Sequence, residues 1–333
     1  MKRRFAVVSA GIVLLAPAQA LAQTEPADAA GYLERMSDAE TATYRARELV
    51  VYFGDPQSAA VLDVRSSPGG HFVRAESGES VTRLWRRADL GMVSTGAESI
   101  SDAAPPSVAL RPEAVLAKYE VRVEEAQDVI GVRLVPLALH RRSDETTVER
   151  LWLHAPSGMV YRRELYGPTG SLVGLSAILE MQWGERAAGD PFEPSERAPS
   201  RVEATSSAGA PPTLANGYRL IGTYRFASPV EPADHWVYSD GLHALSVFRS
   251  RGGLRVPEGF TPAELGATRG WTGPGPGTWA WEGGGSSWLI LAEEPALDPG
   301  RLTAPFPHGG PSAWARMGSL WSRAFHAVAR VFD

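Results

Sequence analysis

Between Gly184 and Pro212 the chain loses nearly every large apolar side chain, and this break constrains the fold of everything around it. A stretch of Gly, Ala, Pro, Ser, Glu and Arg cannot bury enough surface to offset the entropy of ordering it. It reads as a linker over residues 185–212. On either side, composition predicts an N-terminal domain over 31–184 and a smaller C-terminal domain over 213–307. A chain of 333 residues exceeds what one compact core usually organises, so two domains are the default expectation. There is no cysteine, so ordinary hydrophobic cores must hold both parts together.

The N-terminal part predicts an α+β fold dominated by antiparallel strands. Gly31 to Thr41 carries Tyr32, Leu33 and Met36 at helical spacing. Strand-like runs follow at Tyr44–Phe53, Ala59–Ser66, His71–Glu76 and Ser80–Arg86, each bounded by turn residues. Pro112 to Tyr119 predicts a single helix. Further strands are expected from Val121 to Glu125 leading into Val129 to Leu139, then at Thr147–His154, Val160–Tyr166 and Ser171–Trp183. Leu151 and Leu153 alternate with Trp152 and His154, as in a sheet with one covered face. In the C-terminal part, two β-rich runs flank Asp240-Gly241, a strong short-range hairpin signal. Thr278–Glu282 and Ser287–Ala292 predict another strand pair.

The two ends have their own character. Lys2, Arg3 and Arg4 precede an apolar run to Ala16, which falls short of the roughly 20 apolar residues a spanning helix needs. Pro17 and Ala20-Leu21-Ala22 complete the pattern of a cleaved Sec-type signal peptide over residues 1–22, so the protein is expected in the periplasm. At the other end, residues 308–333 predict a basic amphipathic helix. Trp314 and Trp321 share one stripe, while Arg316, Arg323 and Arg330 lie elsewhere on the wheel. Such a helix suits peripheral contact with an anionic membrane surface, and packing on its own domain or self-association into a homo-oligomer are the alternatives.

Composition and motifs exclude several chemistries. The formal net charge is −5, and losing Lys2, Arg3 and Arg4 with the leader makes it more negative, which argues against nucleic-acid binding. Lysine is nearly absent: only Lys118 remains beyond the leader, a pattern that reads as coding bias. No nucleophile elbow, HExxH, Walker loop or EF-hand pattern occurs. The prolines of Gly273–Gly277 remove the donors a phosphate loop must offer. The closest histidines, His235 and His243, flank the Asp-Gly turn and read as two surface residues, with no metal site expected. Glu124-Glu125 and Glu293-Glu294 point to opposite strand faces and read as solvated. No enzyme and no cofactor are expected.

Two stretches together resemble the sigma-E regulatory RseB/MucB family. The first is KYEVRVEEAQDVIGVRLVPLALHRRSDETTVERLWLHAPSGMVYRRELYGPTGSLV, Lys118 to Val173; the second is the hairpin VYSDGLHALSVF, Val237 to Phe248. Departures are visible: Val132 follows Gly131 where arginine is usual, and Met159-Val160 replaces Leu-Pro. The resemblance implies an exported, non-enzymatic, two-domain protein. Its N-terminal domain would be a half-open antiparallel sheet over helices around an apolar cavity, as in the LolA/LolB lipoprotein carriers. Both domains would hold the extracytoplasmic segment of a transmembrane anti-sigma factor and shield it from proteolysis, with a lipid or acyl-chain ligand weakening the hold. A periplasmic lipid or lipoprotein carrier is the alternative. On this reading Trp85, Trp152, Tyr161, Tyr166 and Trp183 are candidates to line the cavity, against a plain core role. Trp236, Tyr238, Asp240 and Leu242 of the hairpin are candidates for partner contact, against a purely structural turn.

Overall fold

The computed structural model describes residues 28–53, 58–67, 70–77, 80–87, 92–95, 110–184, 203–204, 209–226, 233–254, 256, 260–273, 277–294 and 297–308. The leader over residues 1–22 and the tail residues Trp314, Arg316, Trp321, Arg323 and Arg330 lie outside them.

The first sheet is antiparallel and open. Its members are β1 (Tyr44–Tyr52), β2 (Ser58–Ser67), β3 (Gly70–Ser77), β4 (Ser80–Arg87), β5 (Met92–Thr95), β6 (Tyr119–Val123), β7 (Gln127–Val129), β8 (Val132–Arg141), β9 (Thr147–His154), β10 (Val160–Tyr166) and β11 (Leu172–Trp183). The spatial order is β5-β4-β3-β2-β1-β11-β10-β9-β8-β6, with β7 beside β8, so the two ends never meet. Register breaks at Arg47/Glu48, Leu139/His140, Val160/Arg162 and Leu165/Tyr166 mark β-bulges, which bend and twist the strands that carry them. Two helices cover one face: α1 (Ala29–Ala39), capped by Asp28 Oδ1 accepting from the Gly31 amide at 3.0 Å, and α2 (Pro112–Lys118), opened by a proline at its first position. Tyr32 and Leu33 of α1 and Val115 of α2 pack on Val135, Leu137, Leu139, Leu151 and Leu153 of the sheet. A separate apolar cluster, around Ala46, Val64, Met159 and Met181, lies under the C-terminal end of α1.

The second sheet contains β12 (Glu203–Ala204), β13 (Arg219–Phe226), β14 (Ala233–Ser239), β15 (Ala244–Arg251), β16 (Thr261–Leu265), β17 (Thr268–Thr272), β18 (Thr278–Gly283) and β19 (Ser286–Ala292). Their order is β12-β13-β14-β15-β19-β18-β17-β16. Its core is dense in tryptophan. Trp281 stacks on Trp288 at 5.7 Å, Trp236 meets Trp288 at the same centroid distance, and Phe306 closes the group beyond the short helix α3 (Pro299–Thr303). Offset stacks of this kind add about 0.5–1.5 kcal/mol each beyond area burial. The indole N–H groups are satisfied, Trp281 donating to the Pro307 carbonyl and Trp288 to that of Gly283.

Three sequence expectations are revised. The stretch from Val121 to Leu139 turns back on itself at Ile130-Gly131, whose φ values of 52° and 78° form the two-residue turn between β7 and β8. Apolar continuity hid this turn. The segment read as linker is in part a strand: Glu203 and Ala204 pair with Arg225 and Tyr224. Edge pairing uses backbone groups, which a small-residue composition does not forbid. Nearer its end, Pro211 accepts a hydrogen bond from the Tyr238 hydroxyl at 3.0 Å, and Ala210 packs on the second core. Finally, strands β13, β16 and β17 complete a sheet of which only two hairpins were legible.

Candidate functional site

The β14–β15 hairpin forms as the Asp-Gly signal implies, with a loop of four residues, Asp240 to His243, between paired Ser239 and Ala244. Asp240 builds the loop locally. Its Oδ1 accepts from the amides of Leu242 at 2.9 Å and His243 at 2.7 Å, the short-range bonding that makes Asp a turn residue. Gly241 takes φ +100°, and a Cβ there would sit 2.5 Å from that of Ala114. Only glycine lets the tip press this closely on α2.

The tip is lodged in the first sheet. The Gly241 carbonyl accepts from the Arg111 amide at 2.9 Å, and the Leu242 side chain joins the apolar cluster of α1, α2 and β8–β9. Asp240 Oδ2 accepts from the Tyr119 hydroxyl at 2.7 Å and is ion-paired with the Lys118 ammonium. His243 reaches further in: its Nε2 lies 2.7 Å from Glu149 Oε2, and Glu149 Oε1 is paired with Arg163. A second buried carboxylate, Glu294, holds Arg141 at 2.9 Å, Lys118 at 3.3 Å and the Tyr218 hydroxyl at 3.2 Å. Lys118 thus bridges two acids of the second sheet, with its ammonium 4.7 Å over the rings of both Tyr119 and Tyr218.

The protonation pattern follows from these contacts. Burial pulls the His243 pKa down, but Glu149 and Asp240 on either side outweigh it and raise it to about 10. At neutral pH it is an imidazolium between two carboxylates. Burial alone would raise Asp240, yet His243 and Lys118 hold it well below the usual carboxylate range. Glu149 is likewise lowered against burial, by Arg163 and His243. Three acids therefore face four basic groups in one buried cluster. Asp240, His243 and Glu294 offer ligand atoms within 4.8 Å of one another, but Lys118 already occupies the space between the two carboxylates and supplies the positive charge.

Beside this cluster lies a cavity of about 420 Å³ between α1 and the sheet. Met36, Val64, Met159 and Ile178 contribute apolar wall, and Glu48, Glu149 and Arg163 contribute charge. Leu242 and Glu293 of the second half line one side. Glu48 is half-buried and lines the cavity, and burial raises its pKa against the opposing pull of a Ser176 hydrogen bond and Arg163.

The proposed cavity-lining aromatics divide. Tyr161 and Trp183 pack on the cluster around Met159 and Met181, at the cavity's margin, with Trp183 6.1 Å from the Tyr44 ring. Trp152 and Tyr166 do not line it. The Arg162 guanidinium lies 5.6 Å over the Trp152 ring, and the Tyr166 hydroxyl donates to Glu164 at 2.7 Å, both on the face turned away from the helices. Trp85 is on β4, paired with Phe72; its side chain lies outside what is described. The four hairpin candidates are brought together but face inward. Trp236 and Tyr238 belong to the second core, Asp240 to the ion cluster and Leu242 to the first sheet.

Two expectations are corrected. His235 and His243 are buried, at 3% and 1% exposure, because one stacks on Phe248 beside Ser246 and the other is clamped by acids. Burial drops His235 to about 3, so it is neutral. Glu294 is not solvated but holds Arg141 and Lys118. Sequence reasoning missed Tyr119, Arg141, Glu149 and Arg163, read Glu294 as solvated and took the isolated Lys118 for coding bias. One signal was available: in a chain that uses arginine almost everywhere, a lone lysine marks a place where a compact ammonium is needed.

No protein-family model matches the sequence, and no curated protein is significantly similar to it. Solved structures do match. The crystal structure of MucB superposes with a TM-score of 0.59 at 20% identity, covering 84% of this chain and 98% of that one. MucB in its complex with MucA(peri) gives 0.55 at 19% identity, over 85% and 100% of the two chains, and the Pseudomonas aeruginosa MucA/MucB complex gives the same values. An open antiparallel sheet under two helices, followed by a second antiparallel sheet, is thus a fold this chain shares with MucB.

Proposed function

We propose that this protein is an exported, non-enzymatic regulator that binds the extracytoplasmic segment of an anti-sigma factor and shields it from proteolysis. The observation that carries the reading is the fold shared with MucB over both sheets, in a protein solved with MucA(peri) bound. The charge cluster supports binding over catalysis, because its acids and bases are engaged with one another. The edge formed by β6 and β7 supports it too: Val123, Val129 and Ile130 are exposed beside backbone groups that an extended segment could pair with. Export rests on the leader over residues 1–22. The test is a pull-down of the extracytoplasmic segment of a candidate anti-sigma factor from the same genome, with protease cleavage of that segment timed in its presence and absence. Retention and slowed cleavage are expected; no retention and unchanged cleavage overturn the reading.

A second reading, as a lipid or acyl-chain carrier, is favoured by the cavity, whose volume falls at the lower end of the ~300–1,000 Å³ typical of small-ligand sites. Native mass spectrometry after incubation with fatty acid or lysolipid separates the two readings. Stoichiometric uptake without anti-sigma binding selects the carrier.

A further inference from the structure

We propose that the Asp240–His243 tip is a charge-held gate on the cavity of the first sheet, so that access to the cavity is coupled to the parting of the two sheets. Leu242 and Glu293 are the wall residues contributed by the second half; the remaining wall comes from the first. The tip is packed through Leu242 on the apolar cluster of the first sheet. It is held by the Arg111–Gly241 backbone bond, by the fit of Gly241 against α2, and by the ion cluster. Glu149 and Arg163 belong to both the cluster and the cavity wall, so the bond that retains the tip is made at the cavity itself.

The hold is electrostatic at its centre. His243 faces Asp240 on its own loop, Glu149 on β9 and Tyr119 on β6. Arg163 on β10 and Lys118 at the end of α2 neutralise those acids from behind, and Glu294, Tyr218 and Arg141 complete the shell. Parting the sheets returns His243 to water and removes Glu149, so its pKa falls back toward the ordinary 6.5, with Asp240 of its own loop still beside it. Its folded value is raised, so the contribution of the bridge is fully present below 6.5 and is lost as pH rises toward 10. Between those limits parting releases a proton, and the docking equilibrium weakens by up to about tenfold per pH unit. Glu149 and Asp240 stay ionised and Tyr119 stays neutral over this window, since the first two are lowered and the third is raised.

The experiment is uptake of the apolar fluorophore N-phenyl-1-naphthylamine by the chain lacking only its leader, from pH 6.5 to 9.5, with far-UV circular dichroism alongside. Uptake should rise at least several-fold while the dichroism is unchanged. His243→Gln keeps a polar side chain without the charge, and should take up the probe at pH 6.5 with little further response to pH. Leu242→Ala leaves the charges in place, and should raise uptake at pH 6.5 while keeping the pH response. Flat uptake in the unmodified chain, no uptake at any pH, or uptake that tracks loss of dichroism overturns the gate. Should His243→Gln fail to fold, the unmodified titration and Leu242→Ala decide, and Leu242→Ala identical to the unmodified chain also overturns it.

Discussion

The two sheets are stabilised in different ways. The second is closed around interlocking indoles, with Trp281 fully buried and Trp236 and Trp288 nearly so. The first divides its apolar residues between two clusters with a cavity beside them, and places charge there too: Glu149 fully buried, Arg163 and Glu48 partly so. Dense packing rigidifies, whereas a cavity and a buried ion cluster leave a region whose arrangement depends on what is bound and which protons are present. A rigid body docked on an adaptable one would suit the proposed role of holding a partner segment.

This contrast can be tested by substitution. The largest effect is expected for Trp281→Ala, which removes the centre of the indole stack and should cost about 3–5 kcal/mol by chemical denaturation. Hydrogen exchange should show the loss in the second sheet, with the first still protected; equal loss in both would make the two one cooperative unit. Lys118→Met comes next. It leaves Asp240 and Glu294 buried with less positive charge and should cost about 3 kcal/mol. Its signature is increased exchange at residues 239–244 with the tryptophan core protected, the reverse of the first variant.

Acid should act on the cluster in the same direction. Glu149 and Asp240 have lowered folded-state values, so their contribution is present above the unfolded values of 4.5 and 3.8 and is lost as pH falls through the folded ones. Denaturant midpoints should therefore fall below pH 4.5, and by less in Glu149→Gln; an unchanged acid slope in that variant would remove Glu149 from the account. The smallest effect is expected at the β7–β8 turn. Ile130 is 61% exposed with φ 52°, a conformation asparagine adopts more readily than a β-branched residue. Ile130→Asn should stabilise by about 1 kcal/mol or less.

Strand runs of the first sheet were legible because one face is covered, and in/out alternation then writes itself into the sequence: β9 and β10 match their expected limits at Thr147–His154 and Val160–Tyr166. Where alternation fails, boundaries blur. Ile130-Gly131 passed as strand interior, and β16 and β17 carry little periodic apolar content.

By itself the sequence determined most strands of the first sheet and that a hairpin turns at Asp240-Gly241, and it predicts a leader-like start and a basic amphipathic tail. Tertiary structure alone decided where that hairpin goes. Its four proposed contact residues follow one another along a strand and turn, but the members of the cluster that the tip joins, Tyr119, Glu149, Arg163 and Glu294, are scattered over nearly two hundred positions. Periodicity and turn chemistry are short-range, acting over a few residues. A buried ion cluster is assembled only when two sheets dock, and the strength of each charge in it depends on desolvation that no local pattern records.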